Sequence, residues 1–196
     1  MVKKITIIRI IQQFLYDYGR RYYLRELAAS LGKPHQTLKP YLKELVNLGV
    51  LAEAKRRNLN EFQLNFKDKR VYGCLVIAEK EKLLDKLQEE PYLRTLFEKL
   101  SVSFDKNTFI IFGSAVDRIQ KGSDIDLFII GKQYISKQIK DFEDIYTKKI
   151  HKVQVKNLEK LNISFVKEVY KKHLIFNNTE IVIRFFGGLH EENKLV

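Results

Sequence analysis

The sequence predicts an α+β protein built from two kinds of module, and three observations carry that expectation. The first 66 residues read as three short amphipathic helices followed by two short strands; the stretch to residue 103 is strongly helix-forming; from residue 104, apolar strands bearing polar motifs alternate with helices. The expected boundaries are 1–66, 67–103 for a helical connector, and 104–196 for a mixed sheet with flanking helices.

Composition narrows the class. Of 196 residues, 45% are hydrophobic and 31% charged, enough apolar surface for a core, so wholesale disorder is excluded. The single cysteine, Cys74, excludes a disulfide framework and cysteine-based zinc sites. No run approaches the ~18 apolar residues of a membrane span. These exclusions leave a soluble cytoplasmic protein without a membrane partner. Its formal charge is +12, unevenly placed: residues 1–66 hold 12 Lys and Arg against 5 Asp and Glu, the remaining 130 hold 24 against 19. The concentrated basic third points to a nucleic-acid partner.

Within that third, Ile7, Ile8, Ile11, Phe14, Leu15 and Tyr18 recur at three- and four-residue steps before Gly19. A second amphipathic segment holds Leu24, Leu27, Ala28 and Leu31 and stops at Gly32; a third places Leu38, Leu42, Leu45 and Leu48 inward and stops at Gly49. The tight Gly-containing turn between the last two is that of a helix-turn-helix. Residues 50–55 and 61–66 read as strands, with Arg56-Arg57-Asn58-Leu59-Asn60 as a hairpin tip.

From Leu24 to Phe66, with Leu38-Lys39-Pro40-Tyr41-Leu42-Lys43-Glu44-Leu45 followed by Leu48-Gly49-Val50-Leu51, the sequence resembles winged-helix DNA-binding domains. The third helix then presents Gln36, Lys39, Lys43 and Asn47 outward, where they can reach base edges or phosphates of double-stranded DNA, and Lys55, Arg56 and Arg57 on the wing can grip the backbone. Pro40 is tolerable only near a helix start, because inside a helix it costs about 3 kcal/mol; the expected start is therefore near Thr37. The shortened reading surface predicts weak, largely electrostatic affinity.

The connector carries Ala78 to Leu87, a strongly helix-forming run, and Pro91 as the first residue of a further helix through Leu96 to Leu100.

The chemistry lies beyond it. Phe109-Ile110-Ile111-Phe112 is an apolar strand running into Gly113-Ser114, and nine residues later Asp124-Ile125-Asp126 opens a second strand, Leu127-Phe128-Ile129-Ile130. Glycine lets backbone amides approach phosphate oxygens, and a hydroxyl at the start of a following helix adds a donor where the dipole favours an anion. Aspartates at i and i+2 of a strand share a face, so Asp124 and Asp126 can hold hard divalent cations that bridge a triphosphate and an attacking hydroxyl.

A Gly-Ser pair ending one strand and Asp-x-Asp on the next, here Phe112-Gly113-Ser114 and Ser123-Asp124-Ile125-Asp126-Leu127, resembles the DNA polymerase beta superfamily of nucleotidyltransferases in its minimal branch, over about residues 104–186. The resemblance implies that Gly113 and Ser114 hold the terminal phosphates of a nucleoside triphosphate such as ATP and that Asp124 and Asp126 ligate Mg2+. It implies transfer of a nucleoside monophosphate to a hydroxyl, in related minimal transferases often on a partner protein, sometimes a toxin. Two departures stand out. The basic residue and glycine that often follow Gly-Ser are here Ala115-Val116-Asp117, with Arg118 or Lys121 as substitutes, and the strand that should supply a third carboxylate, residues 151–156, places Gln154 at the matching position. An amide oxygen can coordinate a cation but cannot accept a proton as a carboxylate does. Asp141, Glu143 and Asp144 are possible replacements, although their helical run reads better as a solvated face; His151 and His173 read as structural or surface residues.

The rest of the expected fold comprises helices over residues 135–150 and 158–170, then a C-terminal helix starting at Asn178-Thr179-Glu180 and stopping before Gly187-Gly188, with fraying after His190. Residues 174–176 carry no clear pattern. The alternative function is a catalytically impaired DNA-binding regulator or antitoxin that binds nucleotide or a partner protein, and Gln154 is the feature favouring it.

Overall fold

Residues 6–119, 123–158 and 161–195 are described by a computed structural model of the chain. The architecture is α+β, and the chain forms two compact units: Met1–Glu79 with Ile183–Val196, and Lys80–Val182.

The first unit begins with α1 (Ile7–Ile11), capped by the Thr6 hydroxyl, which accepts from the Arg9 N–H at 3.2 Å. A 3-10 turn, Gln12–Phe14, continues it and buries Phe14. Next come β1 (Tyr22–Tyr23), α2 (Leu24–Ser30) and α3 (His35–Asn47), the last burying Leu38, Leu42 and Leu45. The hairpin is β2 (Leu51–Arg56) and β3 (Leu59–Leu64), paired antiparallel from Leu51 against Leu64 to Arg56 against Leu59. Its tip is only Arg57 and Asn58, both at positive φ (46° and 64°), the combination a two-residue turn needs to match strand twist. β1 completes the sheet in the order β1-β3-β2; two tyrosines are too short a run to register as a period in sequence.

One expectation about this unit fails. α3 starts at His35, not near Thr37, so Pro40 sits in its second turn and the Gln36 carbonyl has no N–H to meet at that position. The start is set by Pro34, whose extended backbone (φ −59°, ψ 138°) precedes the helix and whose carbonyl accepts from the Thr37 N–H at 3.0 Å. The Pro40 ring is exposed and meets no steric penalty from the core.

α4 (Arg70–Glu89) runs from one unit into the other, and α5 (Pro91–Ser101) follows with Pro91 at its first position. The second unit is built on β4 (Asn107–Phe112), β5 (Ile125–Gly131), β6 (Ile150–Val155) and β7 (His173–Ile175) in the order β6-β5-β4-β7. β4 is antiparallel to both neighbours and β5 is parallel to β6, so the sheet is mixed as expected. α6 (Ser136–Tyr146) and α5 cover one face, closing a core that includes Leu96, Phe109, Ile111, Leu127, Ile129 and Phe142. On the other face Phe112 and Phe128 meet Phe165 of α7 (Ile163–Lys171) at ring separations of 5.6 and 5.0 Å. β7 accounts for the segment without a sequence pattern: a three-residue strand, wholly buried, shows no alternation.

The helix expected over 135–150 ends at Tyr146, where Thr147 takes a left-handed φ of 54° before β6 begins. α7 starts at Ile163, not Leu158, because the Asn162 side chain caps it by accepting from the Ser164 N–H at 2.8 Å. α8 (Thr179–Glu191) does not stop before Gly187-Gly188. Gly187 is there for contact: a Cβ would overlap Tyr72 Cε1 and lie 2.6 Å from its Oη. Glu191, the last residue of α8, accepts hydrogen bonds from Tyr72 Oη (2.8 Å) and Lys69 Nζ (3.2 Å).

Candidate functional site

The antiparallel register sets Phe112, the last residue of β4, opposite Asp126 on β5. Gly113 therefore leaves its strand beside the start of the next, at φ +70°, and a Cβ added to it would lie 2.8 Å from Asp126 Oδ2. The two motifs that are separated by nine residues in sequence are thus in direct contact. Buried Ala115 and Val116 anchor the turn after Gly113, while Ser114 projects into solvent. Ile125 is buried, its N–H donating to the Lys149 carbonyl at 2.9 Å, so strand alternation turns Asp124 and Asp126 to the opposite face. Asp124 is exposed; the Asp126 side chain is 32% exposed.

Two details of the expected phosphate cradle change. The Gly113 N–H donates to the Lys172 carbonyl at 3.2 Å and is already engaged. The element that follows is a 3-10 turn, Gly113–Val116, too short to carry a helix dipole of useful size. Lysines distant in sequence reach this end of the sheet. Lys172 Nζ pairs with Asp117 Oδ2 at 2.5 Å, Lys86 Nζ donates to the Asp117 carbonyl at 2.7 Å, and Lys82 Nζ donates to the His173 carbonyl at 2.9 Å. Arg118 is exposed on the same turn, and Lys121 lies outside the described residues. Lys82 and Lys86 come from α4, inside what the sequence shows only as a helix-forming connector, so no local signal marks them.

The expected place of Gln154 also changes. β5 and β6 pair in parallel with Asp126 level with His151 and Ile129 level with Gln154. Gln154 is three residues farther along, roughly 10 Å, and on the other face of the sheet. Its amide donates to the carbonyls of Gly131 and Gln133, both at 3.1 Å. The side chain facing Asp126 is His151, with Nδ1 3.7 Å from Asp126 Oδ1 and the imidazole 83% exposed. Register, a long-range property, places His151 and not Gln154 beside Asp126. The α6 carboxylates do not replace it: the helix packs on the opposite face through Ile139 and Phe142, and Glu143 Oε1 accepts from the Ile150 N–H at 2.8 Å. Among the described residues no cluster of three or more His, Cys, Asp or Glu is placed to hold a metal ion. His173 is fully buried, with Nδ1 2.9 Å from the Tyr170 carbonyl and its ring stacked on that of Tyr170, a structural residue as expected.

The family model described as polymerase beta nucleotidyltransferase matches residues 96–181. This match supports a nucleotidyltransferase-superfamily domain, running from within α5 to the first turn of α8 and lying wholly inside the Lys80–Val182 unit. No curated protein matches the sequence. Among solved structures, Pseudomonas aeruginosa HmgR is 20% identical over 55% of this chain and 40% of its own, with a TM-score of 0.28. The chain thus spans less than half the length of that structure, and a likeness this low carries no argument. Among the described residues no helix is long and apolar enough to cross a membrane.

Outside the nucleotidyltransferase-like domain, Gln36, Lys39, Lys43 and Asn47 all lie exposed on α3. Lys39, Lys43 and Leu42 line a cavity of about 310 Å³ with Glu53, Asn60 and Phe62 of the hairpin. Cross-strand pairing puts Lys55 on this same face, opposite Asn60. Arg56 is on the reverse face, where it pairs with Glu61 at 3.4 Å; Arg21 reaches the same carboxylate at 3.8 Å. Glu61 is nearly buried, and a hydrogen bond from Tyr23, followed by the two arginines, holds its carboxyl below the usual range. The sequence grouping of Lys55, Arg56 and Arg57 as one grip is therefore divided between two faces by the pleat, and Arg21 joins Arg56 on the second.

Proposed function

We propose that the Gly113/Asp126 end of the four-stranded sheet is a nucleotidyltransferase site, which moves a nucleoside monophosphate from a triphosphate such as ATP to a hydroxyl, with a protein as acceptor. The single observation that carries this reading is the contact between Gly113 and Asp126: the Gly-Ser turn and the Asp-x-Asp strand meet at one point, with Gly113 the only kind of residue that fits there. Asp124 and Asp126 would hold a divalent cation, for which their carboxylate oxygens are suitable donors. When bound, such a cation neutralises phosphate charge and favours the ionised form of the attacking hydroxyl. Ser114 is exposed to donate to a phosphate oxygen, and Lys82 and Lys86 bring positive charge to this end of the sheet, while the charge of Lys172 is balanced by Asp117.

The test is incubation with triphosphates labelled at the α-phosphate, a divalent cation and cell extract, comparing the parent chain with Asp126→Ala. Label appearing on a protein only with the parent supports the reading; equal labelling by both removes it. A second reading is a regulator that binds nucleotide without turnover, favoured by the absence of a third carboxylate facing Asp126 among the described residues. Calorimetry with ATP and the cation separates the two, since tight binding without transfer is its signature.

For the N-terminal unit we infer a winged helix that binds double-stranded DNA through α3, with Lys39, Lys43 and Lys55 on the contacting face. Fluorescence titration of a duplex at low salt should show binding that weakens with added salt. Each of Lys39→Ala and Lys43→Ala should lower the log–log salt slope by about 1. No binding to any duplex at low salt would remove this part of the proposal.

A further inference from the structure

We propose that His151 is a ligand of the divalent cation held by Asp126, and that this imidazole shifts the site's preference from Mg2+ toward Mn2+. The inference rests on the nucleotidyltransferase reading of Asp126 but goes beyond it.

The geometry comes from sheet register. Parallel pairing sets His151 level with Asp126, and directly paired residues on neighbouring strands project to the same face. The facing atoms are Nδ1 and Oδ1, 3.7 Å apart. That separation is too long for a hydrogen bond. Two ligands each ~2.1 Å from a shared cation stand roughly 3.0 Å apart at a right angle and roughly 3.4 Å apart at a tetrahedral one. The pair lies slightly beyond these values, and a small χ rotation of an imidazole that is 83% exposed closes the difference. Gly113 packs against the other oxygen, Oδ2, so the carboxylate is supported on one side while Oδ1 is turned to His151.

The choice of metal follows from the donors. Mg2+ prefers all-oxygen octahedra and dehydrates reluctantly, whereas Mn2+ accepts a mixture of carboxylate oxygen and imidazole nitrogen. With two protein ligands from the paired strands, the remaining positions are left for water and phosphate oxygens. A simple His151–Asp126 ion pair predicts the opposite sign: removing a cationic partner from Asp126 would strengthen metal binding.

The experiment titrates the full chain at neutral pH with MnCl2 and, separately, with MgCl2, with and without a non-hydrolysable ATP analogue. Free Mn2+ is counted by electron paramagnetic resonance, and Mg2+ affinity is read by competition. The chain has four histidines, so Mn2+-induced broadening of one imidazole signal by NMR gives a second readout independent of activity. The parent is expected to bind Mn2+ roughly tenfold more tightly than Mg2+, His151→Ala to lose most of that preference, and His151→Asp to move it toward Mg2+. The broadened imidazole signal should be the one missing from His151→Ala. If His151→Ala binds Mn2+ as well as or better than the parent while Asp126→Ala loses it, the inference is overturned and the reading of Asp126 stands. If Asp126→Ala binds as the parent does, or the parent binds no Mn2+ in either condition, the underlying reading is overturned with it. Since position 151 is exposed, its variants should keep the parent's circular dichroism spectrum.

Discussion

Gly113→Ala tests the contact on which the candidate site rests. The alanine would have to hold a φ of +70°, a left-handed conformation that costs an L residue roughly 1–2 kcal/mol. Its Cβ would also lie 2.8 Å from Asp126 Oδ2, where ordinary contacts begin near 3.4 Å. Overpacking of that kind adds roughly 1–3 kcal/mol when neighbours must shift. The expected loss is therefore about 2–5 kcal/mol. In an Asp126→Ala background the nearest remaining atom is Cβ of residue 126, at 4.0 Å, so only the backbone strain persists. The same substitution should then cost about 1–2 kcal/mol, leaving a coupling of roughly the overpacking energy between the two sites. The assay is urea unfolding of the four proteins, followed by far-ultraviolet circular dichroism because the chain has no tryptophan. Equal losses in both backgrounds would refute the contact. A parent that tolerates Gly113→Ala without loss would refute the strain as well.

Three further outcomes are expected. Adjacent glycines of α8 should respond with opposite sign: Gly188→Ala, which meets nothing within 4 Å, should gain up to about 1 kcal/mol, while Gly187→Ala, driven into Tyr72, should lose stability in the same urea assay. Pro40→Ala restores an N–H opposite the Gln36 carbonyl at an exposed position, and should raise stability by about 2 kcal/mol after the gain in unfolded-chain freedom is set against it; a lower unfolding midpoint would contradict the placement of Pro40 in the second turn. Tyr72 has its phenol pushed up to about 12, by burial first and then by its hydrogen bond to Glu191. Because the folded value lies above the ordinary value of 10, the associated stability is intact below pH 10 and is lost as pH rises from 10 through about 12. Tyr72→Phe should flatten stability against pH in that window, and phenolate absorbance should show one fewer late-titrating tyrosine in the variant than in the parent.

Much of this protein follows from local chemistry alone. The spacing of Leu38, Leu42 and Leu45 makes α3 amphipathic wherever it packs, glycines at residues 32 and 49 end helices because they accept a positive φ, and a short apolar run from residue 109 to 112 that stops at Gly113 reads as an interior strand. The sequence therefore determined the α+β class and the order of its main elements, and it marked Gly113 and Asp126, where the proposed site lies. Tertiary structure decided what those residues face. Which residue of β6 lies level with Asp126 depends on the pairing register between strands separated by a helix, and that register put His151 there and sent Gln154 to the other face. The pleat of a three-stranded sheet likewise divided Lys55 from Arg56. Lys86 and Lys172 meet the end of the Gly-Ser turn at Asp117, and Lys82 meets His173 on β7, through contacts spanning tens of residues in the chain, which no local period encodes. Periodicity reports which side of an element is apolar; only the folded chain reports which polar groups come within reach of one another.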